Sequence, residues 1–439
     1  MLLPVKAKVV VVGGGVMGTS IAMHLANRLD PIEDPIVLLE RAPRLAAGSS
    51  GRSGAILRQQ YADLEVARMA RNSLADYSSF MVRTGRDIGF RKTGVLTLAG
   101  PRAPEWMARV RSNVEALRAD GVKTELVDAA KIRELFPGIA ISDEVIGAWE
   151  PNAGFLDPVA TVEAFAAIAR TRGAITRLGV EVRELLIESG RVVGVETSEG
   201  RVDAEQVVLV AGPWTCGLLK RAGIVAPLRA VRPEQHFLTM PKGGESRRIR
   251  SAPDLFSFDD EDSAHEMDPL ARIDSEADAR KSSATVAHPV IIDLELGFYS
   301  RCVPEQEVTR IGRIEYDSDA VLDDPDQLDE EVSAEMKRWS REVLAARLPV
   351  YRDLPDVASE AALYTLTPDA QALLGPIRGV NGLFIASGFS GHGFKLAPAV
   401  GEGMCQLVLG EPVTAFDADF FSPARFDGRT PQWGGNFGL

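Results

Sequence analysis

The run KVVVVGGGVMGTSIAMHLANRL, residues 8–29, is compatible with few folds. Val9 to Val12 are β-branched with no polar alternation, the pattern of a parallel strand buried on both faces. Gly13, Gly15 and Gly18 then follow the spacing G-x-G-x-x-G. The first glycine permits a tight turn, the second lets a pyrophosphate approach the backbone, and the third lets helix and strand pack closely. Ile21, Leu25 and Leu29 give the following helix an apolar stripe. A second strand, PIVLLE, ends in Glu40, whose carboxylate can accept from both ribose hydroxyls of an adenosine and would repel a 2′-phosphate. The separation from Gly13 exceeds the usual ~20 residues, and the DPIEDP loop, residues 30–35, accounts for the excess. Strand, glycines, helix, strand and terminal acid together predict a dinucleotide-binding α/β unit.

The rest of the chain narrows the class. Its 439 residues are enough for two domains or one large composite fold. A net charge of −13 argues against a nucleic-acid backbone as partner, which needs clustered Lys and Arg. Cys216, Cys302 and Cys405 lie far apart and form no zinc, dithiol or disulfide pattern, so no metal site is expected. No apolar stretch reaches the ~20 residues of a membrane span. The N-terminal MLLPVKAKVVVVGGG carries a charge inside its apolar region and reads as a strand, so a cytoplasmic enzyme is expected.

After Glu40 and Arg41 comes GSSGRSGAILRQQY. Ser49, Ser50, Arg52 and Ser53 form a small, polar, basic-tipped stretch suited to a second contact with a pyrophosphate and a flavin. A simple NAD dehydrogenase would continue with alternating strands and helices. This chain instead turns helical at LEVARMARNSLADYSSFMVRTG and then enters the strand-like FRKTGVLTLAG.

These stretches, with GAWEPNAGFLDPVA, VEVRELLIESGRVVGVETSEGRVDAEQVVLVAGPWT, LYTLTPDAQALLG and GFSGHGFKLAPAVGE, resemble the D-amino-acid oxidase and sarcosine oxidase family of flavoproteins from Val9 to about Leu409. The last two are very similar to the sarcosine oxidase and N-methyl amino acid oxidase branch. The resemblance implies an α/β composite: a Rossmann-like FAD-binding domain from residues 1–90, 148–222 and 356–420, interleaved with an antiparallel-sheet substrate domain from 91–147 and 223–355. Residues 421–439 form a C-terminal tail. It also implies FAD contacts along the chain. Val16 and Met17 join the glycine turn, and Val182 meets the adenine end through its backbone. Ala211, Gly212 and Trp214 close the strand that returns to the nucleotide.

GFSGHGFK, Gly388 to Lys395, lies between a strand-like GLFIAS and a helix-like LAPAVGEGMCQLVLG that stops at Gly410. A helix start there would offer N–H groups and partial positive charge to the N1/C2 edge of a reduced flavin. Gly388, Gly391 and Gly393 would allow close backbone approach. The resemblance sets His392 and Phe394 beside the ring and Lys395 toward the substrate. It pairs Lys395 with Arg58 on a substrate carboxylate, work that suits a planar guanidinium, and places Tyr299 at the site. Each also has a plainer reading: a capping loop histidine, a solvated lysine, a surface arginine, a packed tyrosine.

Two positions depart from the family pattern. Ala362 stands where covalent sarcosine oxidases carry a flavin-bonded cysteine, so non-covalent FAD is expected. Arg310 stands where oxidases place a lysine above the flavin, which leaves open oxygen or another electron acceptor. The insertion 251–283 holds ten acids against three bases and reads as a solvated loop, a lid or a docking face for a protein partner. The expected activity is oxidation of the C–N bond of a small carboxylated secondary amine by hydride transfer to flavin, with hydrolysis of the imine. A 2-hydroxy acid or amino acid dehydrogenase of the same fold and a flavin-binding scaffold are the rivals.

Overall fold

A computed structural model describes residues 4–241, 288–315, 321–430 and 432–433. The insertion 251–283 lies outside the described residues. Two eight-stranded sheets organise the chain. In the first, Lys6–Val12 is central, with Ile36–Glu40 and Gly200–Leu209 parallel on its two sides. Val9, Val10 and Val11 are fully buried, as a strand covered on both faces requires. Ile175–Leu178 and Leu383–Ser387 extend the sheet in parallel, and Leu373–Pro376 closes one edge antiparallel. The stretch from Val182 to Leu209 forms three antiparallel strands, and their turns fall in ESGR and SEGR, whose glycines and polar residues suit a turn between alternating strands.

The helix after the glycine turn, Val16–Ala26, packs between helices Pro158–Thr171 and Ala397–Leu409. Ten of its residues are buried, more than one stripe, because helices cover both of its sides. The predicted helix after Gly54 is interrupted. It runs Leu64–Ser78, breaks at Ser79, whose hydroxyl donates to the Ala75 carbonyl (2.8 Å), and resumes as Phe80–Thr84. The last helix begins at Ala397, one residue after a 3-10 turn over Phe394–Leu396, and ends at Gly410 in left-handed conformation (φ 70°).

The second sheet runs in the order Asp356–Ala361, Glu234–Thr239, Val308–Arg313, Phe298–Val303, Val290–Asp293, Val95–Ala99, Ile146–Glu150, Glu125–Asp128. Only the Val290–Asp293 and Val95–Ala99 pair is parallel. Its Phe298, Ile311 and Leu238 face the helix Ala334–Arg347, while Tyr299, Val95 and Ile292 cluster with Phe155 and with Val110 and Val114 of the helix Pro104–Ala119. A two-stranded ribbon, Ile56–Leu57 with Gly154–Phe155, joins the two. Among the described residues no helix is long and apolar enough to cross a membrane.

Candidate active site

A cavity of about 1010 Å³ runs from the glycine turn at Gly13–Met17 past Glu40, Ser49–Ser50 and Val182 to the Gly388–Phe394 loop. The turn is sterically fixed. Gly13 has φ +123°, and a Cβ there would lie 2.5 Å from the Val210 carbonyl oxygen. A Cβ on Gly18 would lie 1.9 Å from the Gly13 carbonyl oxygen, so helix and strand touch through that glycine. Gly18 itself stays behind the cavity wall, as its packing role demands.

The loops hold one another. The Val16 N–H donates to Ser50 Oγ (3.0 Å), and the Glu40 carboxylate accepts from Gly14 N (2.7 Å) and Ala42 N (2.8 Å). Glu40 therefore shapes the turn as well as lining the cavity. Ser49 Oγ is buried against the cavity with no partner among the described residues. Such an orphaned donor fits a ligand rich in acceptor oxygens. At one end Arg41 pairs with Asp326 (2.8 Å), which also accepts from Trp214 Nε1 (2.9 Å). Ala211 and Gly212 line the wall beside them. Ser53 Oγ accepts from Ala55 N (2.9 Å). The Arg52 guanidinium turns toward the second sheet: it donates to the Ala361 carbonyl (2.8 Å) and pairs with Glu330. Glycine cradle, terminal acid and orphaned serine together fit an FAD-sized dinucleotide.

At the opposite end, Gly388 (φ +76°) and Gly391 (φ +84°) bend the loop under the cavity. Gly393 is helical in φ (−63°) and is required instead because Phe389 sits 2.7 Å from where its Cβ would be. His392 and Lys395 do not line the large cavity. They are buried just behind it with Arg58, Tyr61 and Glu150. Arg58 lies 4.0 Å from the Tyr61 ring centroid and donates to the Gln60 carbonyl. Tyr61 meets His392 edge-on at 5.7 Å, and Lys395 Nζ donates to the His392 carbonyl at 3.5 Å. Burial drives the Lys395 ammonium well below its ordinary value; Arg58 pushes the same way and Glu150 opposes both.

Sequence reasoning passed over Glu150, Gln60 and Tyr61. Glu150 is completely buried at the end of the Ile146–Glu150 strand. Its Oε1 accepts from the Gln59 N–H (2.7 Å), while Oε2 has no hydrogen-bond partner among the described residues. The Gln60 amide and the Tyr61 hydroxyl are likewise buried with no side-chain hydrogen-bond partner among the described residues. The available signal was an acid closing an apolar strand, the same cue that marks Glu40. Burial pushes the Glu150 carboxyl up to about 7, against the opposing pull of Gln59 and Arg58. A carboxyl raised in the folded state favours folding below its unfolded value and loses that contribution as pH climbs toward the folded value. Wild-type stability should therefore fall by about 2 kcal/mol more than that of Glu150→Gln between pH 5 and pH 7. Parallel pH dependences in denaturant titrations of the two proteins would show that Glu150 does not carry this burden.

Tyr299 and Arg310 stand on the other side of residues 52–58. The Tyr299 ring lies 3.8 Å from the Cβ position of Gly54. Arg310 donates to the Arg52 carbonyl (2.9 Å) and pairs with Glu360 (3.3 Å). The fold thus gathers Arg58, His392 and Lys395 into one cluster and sets Tyr299 and Arg310 in a second, beyond the Ile56–Leu57 ribbon. Ala362 is buried, Cys302 and Cys405 are buried, and Cys216 lines the cavity at its Trp214 end.

A family model described as FAD dependent oxidoreductase matches residues 8–407. The chain is 27% identical over 434 residues to 4-methylaminobutanoate oxidase (formaldehyde-forming) of Paenarthrobacter nicotinovorans, covering 97% of this chain and 46% of that protein. It is 26% identical over 424 residues to human peroxisomal sarcosine oxidase, covering 95% of each. The chain thus spans about half the length of the first relative and nearly all of the second. Among solved structures, L-proline dehydrogenase from P. horikoshii superposes with a TM-score of 0.78 at 26% identity, over 97% of this chain and 99% of that one.

Proposed function

The chain belongs to the FAD dependent oxidoreductase family, and from that membership we propose that it oxidises the C–N bond of a small carboxylated secondary amine. The observation that carries this reading is the burial of Arg58 and Lys395 together behind the Gly388–Phe394 loop. Burial and Arg58 disfavour the Lys395 charge, which one more negative charge beside it would stabilise. A substrate carboxylate supplies it and meets a planar fork and an ammonium. Similarity to proteins named for sarcosine, 4-methylaminobutanoate and proline, all carboxylated secondary amines, supports the same class.

The residues divide the work simply. The glycine turn, Glu40 and Ser49–Ser50 would hold the dinucleotide. The loop at Gly388–Phe394 would receive the ring, and when bound FAD supplies the two-electron acceptor. Arg58 and Lys395 orient the amine by its carboxylate, and Tyr61 and His392 wall the site against water. This chemistry rests on positioning and electrostatics rather than on a dedicated acid–base pair. The test is anaerobic mixing of the purified yellow protein with a panel of N-methyl amino acids, primary amino acids and 2-hydroxy acids. Bleaching by the N-methyl amino acids first is the expected result; bleaching only by hydroxy acids, or by none, sinks the reading.

Two further properties follow from the departures at Ala362 and Arg310. The FAD is held without a covalent bond, so acid precipitation should carry all yellow colour into the supernatant; colour retained in a washed pellet would contradict it. Arg310 in place of a lysine favours an acceptor other than oxygen, since its guanidinium stays charged and is already engaged by Glu360 and the Arg52 carbonyl. Recovery of the flavin colour on mixing reduced protein with air should be slow, and recovery within milliseconds would remove this expectation.

A further inference from the structure

Arg301 has no role in the reading above, and its surroundings are unusual. It lies on the Phe298–Val303 strand, directly opposite Arg310 on Val308–Arg313. Side chains directly opposite on neighbouring strands share a face, so two guanidinium groups point the same way from the sheet. Like charges in that arrangement repel. Arg310 is compensated by Glu360 at 3.3 Å and by the Arg52 carbonyl at 2.9 Å. Arg301 makes no ion pair with any described residue, although Glu305 lies near enough to act on it. Arg301 is 4% exposed, its Nε is buried without a partner, and its side chain makes no hydrogen bond to any described residue. It stacks over Phe155, 4.2 Å from the ring centroid. The nearest acid in sequence, Glu305, is taken by Arg91 at 3.0 Å. Burial, with Arg310 next, lowers the Arg301 value to about 9.

A guanidinium with a buried, unpartnered Nε beside a like charge is costly to hold unless an anion joins it. An apolar side chain at position 301 would avoid that cost and continue the packing of Val303, Tyr299 and Phe155. The location indicates which anion. Phe155 pairs with Ile56 in the ribbon, and Arg58 follows Ile56 by two residues, about 7 Å along an extended chain. Arg301 therefore stands across Phe155 from the Arg58–Lys395 cluster, on the face that carries Tyr299 and Arg310.

We propose that Arg301, flanked by Phe155 and Arg310, binds a second anionic group of the substrate, so that the preferred substrates are dicarboxylic secondary amines. One carboxylate sits at Arg58 and Lys395. The other, on the amino acid side chain or the N-substituent, reaches the Arg301 fork over the Phe155 ring. The inference rests on the amine-oxidation reading for the placement of the first carboxylate.

The test uses the FAD-loaded protein and unreactive acids, so that it needs no turnover. Acetate and propionate are compared with malonate, succinate and glutarate, and binding is read from the perturbed flavin absorbance. In wild type the best dicarboxylate should bind at least tenfold more tightly than the monocarboxylates. Arg301→Met should abolish that preference while changing monocarboxylate affinity threefold or less, and Arg301→Lys should keep part of it. Equal affinity for both classes in wild type overturns the proposal without any variant. Equal weakening of both classes in Arg301→Met also overturns it, since Arg301 would then serve a first carboxylate or the fold. If the protein oxidises N-methyl amino acids yet shows no dicarboxylate preference, this inference fails and the amine-oxidation reading stands. A dicarboxylate preference without any amine oxidation does the reverse.

Discussion

Replacing Lys395 by methionine is expected to weaken binding of a carboxylated amine by roughly tenfold to a hundredfold, the loss of one charge-assisted hydrogen bond of about 1.5–3 kcal/mol. Lys395 is 7% exposed and its ammonium has one weak contact, 3.5 Å to the His392 carbonyl. Burial and Arg58 both disfavour its charge, and Glu150 opposes them. Methionine has nearly the same length and lacks the charge, so the fold and the FAD content should survive the change. An amine without a carboxylate should lose nothing. A double variant with Arg58→Met should be less damaged than the sum of the single changes, because both groups would touch one anion. Equal losses for carboxylated and uncarboxylated amines would assign Lys395 to the loop or the ring and remove the main support for the substrate class.

Gly18→Ala should leave a protein almost devoid of flavin. The new Cβ would lie 1.9 Å from the Gly13 carbonyl oxygen and 3.1 Å from Val210 Cγ2. The first obstacle is backbone and cannot rotate away. The helix Val16–Ala26 cannot retreat either, since helices Pro158–Thr171 and Ala397–Leu409 pack against it and Ser20 Oγ donates to the Ala397 carbonyl at 2.7 Å. The strain, about 3 kcal/mol or more for overpacking against fixed atoms, falls on the turn that cradles the dinucleotide. At 1.4 kcal/mol per tenfold, that is a loss of roughly a hundredfold in FAD affinity. Absorbance at the flavin band against total protein measures it directly. A variant purified with a full complement of flavin would mean that the helix shifts without disturbing the turn.

The glycine turn, the strands around it, the hairpins from Val182 to Leu209 and the loop Gly388–Gly393 were all legible in the chain. Their signals are local: a β-branched run, glycines where a backbone must approach or take positive φ, turn residues between alternating strands. Such constraints act over a few residues, so the sequence carries them openly. Glu40 was legible as a strand-terminal acid, although its bonds to Gly14 and Ala42 were not. The interruption at Ser79 was missed because helical periodicity continues through it while one hydroxyl rebonds the backbone.

By itself, then, the sequence determined a dinucleotide-binding α/β unit, its cofactor-facing loops and the candidate cations Arg58 and Lys395. Tertiary structure decided which of the charged residues are buried together. Glu150 is brought to Gln59 across 91 positions, and Arg52 is turned to Glu330 across 278. Arg301 and Arg310 are set face to face only by the register of two strands. Whether a charged side chain meets a counter-ion, a ring or nothing depends on what the fold places opposite it. Its own neighbours in the chain carry no record of that, because electrostatic cost depends on distance and burial rather than on sequence separation.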